Sequence, residues 1–413
     1  MANYEVAIIG AGAAGFLAAT QAARRGLRVV LLEKNRKPGV KILMSGGTRC
    51  NLTQATDRRG IVEAFGPQGS FLHSALSVLG PDELVVLFEA EGVPTKVEPT
   101  GKIFPVSNRA VDVVEALRRM LERSGAELRL DEPVVSIERA GDGFSISTPR
   151  GELQTEKIVL TSGGQSYPGC GTTGEGYAWA KQLGHKIVPP RPALVPLLSD
   201  APWVHELSGV TVPDVLVRIV DANVSEAKQQ PAAKPLAERR GSFLFTHFGL
   251  SGPVVMDVSR AVTARPDAGA WQAVCDFVPA LHEQQVSEQI AAGKQTVLAA
   301  IAEWLPKRLA EALLAESGLP GNRRVAELSK KHRNQLLLAL KRMPIPIRGS
   351  QGFKKAEVTA GGIDLREVDS KTMQSKLCPN LYFAGEVLDL DGPIGGYNFQ
   401  AAFSTGWLAG QSV

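Results

Sequence analysis

The N-terminal residues carry the feature that most constrains the fold of this chain. A short apolar strand at 6–9 is followed by three glycines in the spacing G-x-G-x-x-G, a helical segment and a second strand at 29–32. The glycines are Gly10, Gly12 and Gly15. In such a βαβ unit the first glycine permits a tight turn, the second lets a pyrophosphate approach the backbone, and the third lets the helix pack closely. The sequence therefore predicts a Rossmann-like, dinucleotide-binding unit.

Two further features of this unit concern the phosphates and ribose of the dinucleotide. The predicted helix begins near Ala13 and Ala14, where free N–H groups and the helix dipole attract negative charge. Glu33 ends the second strand, and an acid at that place accepts hydrogen bonds from both ribose hydroxyls. Since a carboxylate repels a 2′-phosphate, Glu33 disfavours NADP at this site.

The composition is that of an ordinary soluble globular protein. The chain has 413 residues, of which 44% are hydrophobic and 21% charged, and its net charge is +4. So small a charge makes no case for nucleic acid as a partner, and no apolar segment is long enough to suggest a membrane span. The four cysteines form no C-x-x-C pair and the histidines lack ligand spacing, so no metal site is expected. We expect a cytoplasmic protein with a small-molecule substrate; its oligomeric state stays open.

The pattern of predicted elements changes twice along the chain. A glycine-rich α/β pattern gives way near residue 190 to short strand-like runs, then to leucines at helical spacing, and returns from about residue 356. The chain is therefore predicted to leave a nucleotide-binding domain, form an insert and come back. The individual elements predicted on the way are helices at 80–91 and 110–124, a hairpin over 143–154, strands at 127–137, 215–220 and 242–248, and an exposed loop at 226–240.

The C-terminal residues contain a second strand, acid and helix in that order. The strand leads into Gly385, Glu386 and Asp389, and Gly395 and Gly396 then open a helix of small residues. An acid there accepts hydrogen bonds from sugar-chain hydroxyls, and the helix N-terminus stabilises negative charge.

With these motifs the chain resembles the flavoproteins that have two dinucleotide-binding domains. Within that group it is most similar to a bacterial family of NAD(P)/FAD-dependent oxidoreductases, also described as aminoacetone-oxidase-like or BaiN-like flavoproteins. Thr48 departs from the family pattern, which usually has a third glycine there. The motifs that carry the resemblance are SGGTRCNLT at 45–53, TSGGQSYPGCGTTGEGY at 161–177, LFTHFGLSGP at 244–253, VTAGGI at 358–363 and the C-terminal block at 380–400.

The resemblance implies FAD as the cofactor and an α/β fold with a discontinuous Rossmann-like FAD-binding domain. It also implies that a β-barrel-like domain and a small helical domain are inserted between the two halves. The predicted boundaries are 1–190 plus 356–413 for the FAD-binding domain, 191–280 plus 344–355 for the β-rich insert, and 281–343 for the helical subdomain.

The resemblance further implies which residues contact FAD. Glu33 and Lys34 meet the adenosine ribose, and Val134 offers its backbone to the adenine. The other implied contacts are Lys41, Gly46, Gly47, Thr48, Arg49, Cys50 and Asn51 along the pyrophosphate and flavin; Ser162, Gly163 and Gly164 beside the phosphates; Gly385 and Glu386 at the ribityl–phosphate part, with Asp389 as a further candidate; and Gly395, Gly396, Tyr397, Asn398 and Phe399 against the flavin ring.

Several of these side chains have two interpretations. Lys41 and Arg49 neutralise the pyrophosphate or hold an anionic substrate, with a role as plain surface charges as the alternative. Cys50 is a candidate for flavin contact or covalent chemistry, but with no partner thiol at useful spacing a small buried residue is favoured. The basic residues of the late helical region are typical of a solvated helix face, with docking of an acidic partner as the alternative. They are Lys330, Lys331, Arg333, Lys341 and Arg342.

Two residues are candidates for proton transfer to the substrate. His247 is predicted to lie in the strand 242–248 on the same face as Phe243 and Phe245, either as a core histidine or as a substrate-side acid. Tyr167 follows the second Gly-Gly loop and either donates a proton or packs against Pro168.

The predicted function is that of an FAD-dependent oxidoreductase which transfers two electrons between flavin and a small organic substrate. A reductase supplied by NADH or NADPH and acting on an activated C=C bond is our first hypothesis. Because no second G-x-G-x-x-G follows a strand in mid-chain, the nicotinamide would bind only transiently at the flavin. The alternatives are an amine oxidase that uses O2, a non-catalytic flavin redox module and an RNA-modifying flavoprotein, the last disfavoured by the dispersed charge.

Overall fold

The strand that precedes the glycine turn lies in the middle of a sheet. In the computed structural model, which describes residues 4–222, 235–265 and 271–413, β1 (Tyr4–Ile9) pairs in parallel with β2 (Val29–Leu32) and β9 (Gly151–Leu160). Val6 lies opposite Val29 on one side and opposite Lys157 on the other. Because both faces of β1 are covered, its sequence reads as a continuous apolar run.

The chain divides into two units, of which the first contains this sheet. Unit 1 comprises Met1–Arg191 and Glu357–Val413, and unit 2 comprises Pro192–Ala356. The main sheet of unit 1 has the order β6-β2-β1-β9-β8-β7, with β19 in parallel beside the last residues of β9. Its remaining strands are β6 (Glu127–Arg129), β7 (Ser136–Ala140), β8 (Gly143–Thr148) and β19 (Leu381–Phe383).

Two smaller sheets complete the strands around unit 1. One has the order β3-β5-β4, and the other pairs β10 with β18. Their strands are β3 (Thr53–Gln54), β4 (Thr95–Val97), β5 (Lys102–Pro105), β10 (Ile187–Ala193) and β18 (Val358–Ile363).

The helices of unit 1 cover the main sheet and pack on each other. The first helix, α1, is buried from Ala13 to Ala23, because a C-terminal helix rich in small residues lies against it. A Cβ placed on Gly406 of that helix would lie 2.2 Å from the Ala14 carbonyl oxygen, which shows how closely the two backbones approach. The helices are α1 (Ala13–Arg24), α2 (Val40–Met44), α3 (Arg58–Ala64), α4 (His73–Val78), α5 (Pro81–Ala90), α6 (Ala110–Ser124), α7 (Glu175–Gln182) and α14 (Tyr397–Ser412).

Unit 2 is built on an antiparallel sheet of seven strands. Their order is β16-β15-β12-β13-β14-β11-β17. The alternation of buried and partly exposed residues along β12, where Val215, Val217 and Ile219 point inward, is typical of a sheet with one covered face. The strands are β11 (Leu197–Leu198), β12 (Thr211–Asp221), β13 (Ala237–Thr246), β14 (Gly249–Ser251), β15 (Trp271–Asp276), β16 (Met343–Ile347) and β17 (Gly349–Ser350).

The helices of unit 2 share one hydrophobic core with this sheet. Leu309, Leu313 and Leu336 of the helical region belong to the same buried cluster as Val217 and Phe243 of the strands. For this reason we describe the predicted β-rich insert and helical subdomain together, as one unit. The helices are α8 (Pro202–Glu206), α9 (Pro253–Thr263), α10 (Glu283–Ala292), α11 (Val297–Ile301), α12 (Lys307–Glu316) and α13 (Lys330–Lys341).

Most of the predicted elements are present, and three predictions were wrong in part, among them the strand at 242–248, which ends at Thr246. The helices at 80–91 and 110–124 and the hairpin over 143–154 are confirmed by α5, α6 and the pair β8–β9. The predicted strand at 127–137 is two strands, β6 and β7, because Asp131 has a positive φ of 55° that ends the first. Of the loop predicted at 226–240, residues 226–234 lie outside the described residues, and 237–240 belong to β13.

The length and hydropathy of a helix decide whether it could span a membrane. No single helix among the described residues is long and apolar enough to cross a bilayer. The helical stretches Gly66–Val78 and Pro81–Ala90 reach the length and hydropathy of a membrane span only when they are taken together, and a bend of 42° separates them.

Candidate functional site

The glycine turn after β1 leaves room at one glycine and none at the other two. A Cβ on Gly10 would lie 2.8 Å from the Thr161 carbonyl oxygen, and one on Gly15 only 1.9 Å from the Gly10 carbonyl oxygen. Around Gly12, by contrast, a Cβ would meet no atom within 4 Å. Thr161 fixes the turn from the neighbouring strand, since its hydroxyl donates to the carbonyls of Ile9 and Gly10 at 2.9 and 2.8 Å. The open side of the turn therefore lies at Gly12, above the start of α1.

The carboxylate of Glu33 is oriented by the backbone beside this turn. Its two oxygens accept hydrogen bonds from the N–H groups of Ala11 and Asn35 at 2.8 and 2.9 Å, and the residue is buried. Each oxygen retains a lone pair for a hydroxyl group. The next residue, Lys34, reaches away from Glu33 to the Thr173 hydroxyl at 3.0 Å and pairs with Glu175.

The predicted adenine contact lies in the connection between β6 and β7. Val134 is half-buried there and belongs to no strand. Nearby, the Glu132 N–H donates to the Glu33 carbonyl at 3.0 Å, which brings this connection to the end of β2.

The loop from Gly46 to Asn51 has an unusual backbone. Gly46, Gly47, Thr48 and Cys50 all have positive φ, between 54° and 68°. A threonine is rare in this region because a β-branched side chain is strained there. Thr48 nevertheless has a defined place, since its carbonyl accepts from the N–H of Ala110 at 2.9 Å and so holds the first residue of α6.

We expect Thr48→Gly to stabilise the protein. Glycine relieves the strain at a φ of 68° but also increases the freedom of the unfolded chain, so the net gain is about 0.5–1 kcal/mol. Denaturant unfolding of the FAD-bound protein measures it. The control is Thr48→Ala, which keeps a Cβ and should gain less; equal stabilities of the two variants would contradict the explanation by backbone strain.

The two cations of this region are engaged with carboxylates. Arg49 pairs with Glu98 at 2.7 Å and its guanidinium lies 4.0 Å from the centre of the Phe104 ring. Lys41 forms an ion pair with Glu386 and donates to the Ser166 hydroxyl at 2.7 Å. Neither is therefore an isolated surface charge.

Cys50 has the properties of an unreactive thiol. It is completely buried, and burial raises its pKa to about 12. At neutral pH the thiol is protonated, whereas covalent catalysis requires the thiolate. This favours the interpretation of Cys50 as a small buried residue.

Glu386 connects the C-terminal block to three other parts of unit 1. Besides its ion pair with Lys41, it accepts from the Ser166 hydroxyl at 2.7 Å and from the Thr359 N–H at 2.8 Å. Gly385 approaches α1 so closely that a Cβ there would lie 2.9 Å from the Ala14 Cβ. Burial raises the pKa of Asp389, three residues further on.

The Gly-Gly turn before α14 lies against the end of the loop at 46–53. A Cβ on Gly396 would lie 2.6 Å from the Thr53 carbonyl oxygen, so only glycine fits there. Asn398 clamps the turn, because its amide exchanges hydrogen bonds with the backbone of Gly392 at 2.8 and 3.1 Å. Phe399 stacks on Phe403 of its own helix at 6.0 Å. The remaining predicted contacts of this turn, Gly395 and Tyr397, are buried and half-buried respectively.

The segment after β9 brings Ser162, Gly163 and Gly164 next to the glycine turn. The Ser162 Cα would lie 3.1 Å from a Cβ on Gly10. Further along, Tyr167 is half-buried, and its φ of 57° places a bulky residue in the left-handed region. Such backbone strain is often found at functional sites.

A second G-x-G-x-x-G occurs in this segment at Gly169, Gly171 and Gly174. Its first glycine lies within a short 3-10 turn at Pro168–Cys170, no strand directly precedes it, and its last glycine precedes α7. Glu175, in the first turn of α7, already pairs with Lys34. The spacing here therefore does not belong to a second βαβ unit.

Three residues of this site were not singled out from the sequence. They are Ser166 and Thr359, which hold Glu386, and Tyr177, whose hydroxyl is buried without a hydrogen-bond partner among the described residues. Burial, and then the negative charges of Glu386 and Asp389, raise the pKa of Tyr177, which keeps its hydroxyl protonated. The signal for these residues in the sequence was that they belong to the motifs at 161–177 and 358–363.

His247 does not lie where the sequence placed it. The strand β13 ends at Thr246, and His247 is an exposed residue of the turn that leads to β14. It therefore does not share the buried face of Phe243 and Phe245, and its ring contact is with Phe248 at 5.0 Å. The prediction of a strand histidine was wrong because the strand ends at Thr246, two residues before its predicted end at Phe248.

The residues present fit FAD. The open space at Gly12 suits a pyrophosphate and the oriented carboxylate of Glu33 suits a ribose. Three buried oxygens in the segments 45–53 and 161–164 have no hydrogen-bond partner within the described residues, as expected of groups that meet a ligand. They are Asn51 Oδ1, Thr53 Oγ1 and Ser162 Oγ. All of these residues lie in unit 1.

This fold and site define an FAD-dependent oxidoreductase with a Rossmann-type cofactor domain. The family model described as HI0933-like protein Rossmann domain matches residues 4–412, and the chain belongs to that family. The family resemblance noted in the sequence is thereby confirmed.

Relatives with assigned reactions match the whole chain. A ribosomal RNA dihydrouridine synthase of Escherichia coli is 33% identical over 100% of this chain and 98% of its own length. A 3-dehydro-bile acid delta(4,6)-reductase of Clostridium scindens is 31% identical over 99% of this chain and 98% of its own length. Among solved structures, the Mycobacterium smegmatis Sdh1 complex in the apo form has a TM-score of 0.50 and 16% identity over 98% of this chain and 67% of that chain, which is a likeness of fold alone.

Proposed function

We propose that this enzyme reduces a C=C bond that is conjugated to a carbonyl group, with NADH or NADPH as the electron donor. The observation that carries the proposal is the common chemistry of its whole-length relatives. A dihydrouridine synthase reduces the ring C=C bond of uridine, which is conjugated to a carbonyl, and a 3-dehydro-delta(4,6) steroid carries C=C bonds conjugated to its 3-oxo group. An enzyme that acts on either substrate adds two electrons and two protons to a C=C bond conjugated to a carbonyl.

The residues of unit 1 support this chemistry in separate roles. FAD, when bound, supplies the two-electron chemistry. The N-terminus of α14 carries a partial positive charge suited to stabilise an anion. Glu386, fixed by Lys41, Ser166 and Thr359, would orient the sugar chain of FAD. Tyr167 is our proposed proton donor, because it follows the Gly163–Gly164 segment.

Anaerobic stopped-flow mixing with NADH and then NADPH tests the proposal, with the visible absorbance of the flavin as the readout. We expect fast bleaching by one donor and reoxidation by a conjugated enone, with uridine in RNA and 2-cyclohexenone as the acceptors compared. Tyr167→Phe should leave the bleaching unchanged and slow the reoxidation. A flavin that only a primary amine bleaches, with peroxide formed in air, would instead assign the protein as an amine oxidase.

We further propose that the conjugated substrate is a uracil base within an RNA. Two whole-length relatives, from Escherichia coli and Haemophilus influenzae, are ribosomal RNA dihydrouridine synthases. The distribution of charge also favours this substrate: between residues 281 and 343, ten Lys and Arg face six Asp and Glu, a surplus equal to the whole net charge of +4. The expectation of no nucleic-acid partner rested on the whole-chain charge, which conceals this concentration; the present proposal departs from it.

A further inference from the structure

Six exposed cations lie in the helical region of unit 2, on segments that are adjacent in the chain or joined by backbone hydrogen bonds. We call them the basic cluster, and they come from three neighbouring segments of chain. They are Lys294, Arg323, Arg324, Lys330, Lys331 and Arg333. Between residues 321 and 334 the sequence has one acid, Glu327.

Backbone hydrogen bonds fix the segments of the basic cluster to each other. The Val297 N–H donates to the Arg323 carbonyl at 2.9 Å, and the Val325 N–H donates to the Gln295 carbonyl at 3.0 Å. An antiparallel bridge between Thr296 and Arg324 lies between these two bonds. The backbone thus holds Gln295 and Thr296, which follow Lys294 directly, against Arg324 and Val325.

The third segment of the cluster is the first turn of α13. Ser329 caps this helix by accepting from the His332 N–H at 3.2 Å, and Arg333 donates to the Leu328 carbonyl at 3.2 Å. Lys330 and Lys331 therefore stand at a well-formed helix N-terminus. The positive end of a helix dipole favours acids, yet the first turn of α13 contains none. The charges of Lys330 and Lys331 therefore add to the positive potential of the helix N-terminus.

The cluster also differs from other cations of unit 2 in its lack of ion pairs. Arg240 pairs with Asp214, and Arg342 pairs with Glu283, each at 2.7 Å. Within the part of the chain that the structure describes, none of the six cluster cations forms an ion pair with a carboxylate. A surface of this kind attracts a polyanion from the solvent.

We propose that the basic cluster binds the phosphate backbone of an RNA substrate. The proposal rests on the proposed RNA function and adds where the RNA is held. Arginine guanidinium groups contact phosphates through two parallel hydrogen bonds, and lysines add point charges. Of the exposed residues in 321–334 only Ala326 is apolar, and Asn322, Ser329 and Asn334 are polar, whereas a membrane-binding surface intersperses its cations with large apolar side chains. The free N–H groups of the α13 N-terminus contribute to the same anion site.

Fluorescence anisotropy of a labelled RNA hairpin with the FAD-bound enzyme, titrated at several salt concentrations, tests this. The variants are Lys330→Glu/Lys331→Glu and Arg323→Glu/Arg324→Glu. Each phosphate that the protein no longer neutralises lowers the slope of log K against log salt by about 0.7–0.9, so each double variant should lower it by about 1.5 and weaken binding roughly tenfold or more. Because acids in the first turn of α13 are favoured by its dipole, the lysine variant is expected to fold at least as well as the parent.

The matched control is Lys354→Glu/Lys355→Glu. These two adjacent lysines are exposed in the same unit, and their reversal changes the net charge equally. We expect the control to bind RNA like the parent within about twofold, which separates a site from a general charge effect. FAD content and Tm are measured on every preparation.

The outcomes separate this inference from the proposed function. Salt-dependent RNA binding that the cluster variants weaken supports the basic cluster even if no uridine is reduced. RNA reduction that both double variants perform like the parent overturns the cluster and leaves the function intact. Equal weakening by the control overturns it as well, as does cosedimentation with anionic phosphatidylglycerol vesicles in the absence of RNA binding.

Discussion

A Gly12→Ala variant is expected to fold normally and to purify almost without FAD. In the structure a Cβ at this position meets no atom within 4 Å, and the φ of −90° is compatible with alanine. The same open space is where a pyrophosphate approaches the backbone, so the methyl group excludes the ligand and not the fold. We expect FAD affinity to fall on the order of 100-fold, about 2.8 kcal/mol, with the Tm of the cofactor-free protein unchanged. Titration of cofactor-free protein with FAD, followed by flavin fluorescence, measures the affinity.

Gly15→Ala provides the contrast to Gly12→Ala. Its Cβ would lie 1.9 Å from the Gly10 carbonyl oxygen and 2.7 Å from the Thr161 hydroxyl, so α1 must move away from the sheet. This variant should lose both FAD and thermal stability. If Gly12→Ala binds FAD as tightly as the parent while Gly15→Ala is destabilised, the pyrophosphate does not lie at this turn and the site has to be placed elsewhere.

The nucleotide-binding unit was predictable from sequence because its requirements are local. Gly10 and Gly15 are required by close neighbours in the same turn or the adjoining strand, and β2 has the predicted bounds Val29–Leu32. The amphipathic pattern of α6, Ala110–Ser124, likewise fixed both of its ends. In these elements the physical cause and the sequence signal lie within a few residues of each other.

The network around Glu386 could not be predicted because its members are distant in the sequence. Lys41, Ser166 and Thr359 come from a helix, a loop and a strand whose packing decides their meeting. The error at His247 has a different cause. Alternation predicts which face a strand residue occupies, but it does not predict where the strand ends, and here a turn follows Thr246.

Lys341 shows the same limit in the helical region, where it was predicted with the other basic residues to lie on a solvated helix face. In the structure Lys341 is buried, and its ammonium pairs with Asp276 at 2.6 Å. It also donates to the carbonyls of Leu281 and Val278 at 2.7 and 3.1 Å. The carboxylate of Asp276 in turn accepts from the Val278 N–H at 3.0 Å. The pair thus ties the end of α13 to the end of β15, inside the core of unit 2.

We expect Lys341→Met to destabilise unit 2 by about 3–5 kcal/mol, because it leaves the Asp276 carboxylate buried without a counter-charge. The adjacent Arg342→Met is the matched control: its pair with Glu283 is 58% and 45% exposed, and exposed pairs contribute at most about 1 kcal/mol. Adding Asp276→Asn to Lys341→Met removes the stranded charge and keeps an acceptor for Val278, so most of the loss should be recovered. Hydrogen exchange of the β15 amides reports the local opening free energy, and retained FAD reports unit 1 separately. If Lys341→Met costs no more than Arg342→Met, the buried pair adds nothing that an exposed one does not, and the apolar contacts of α13 alone hold it to the sheet.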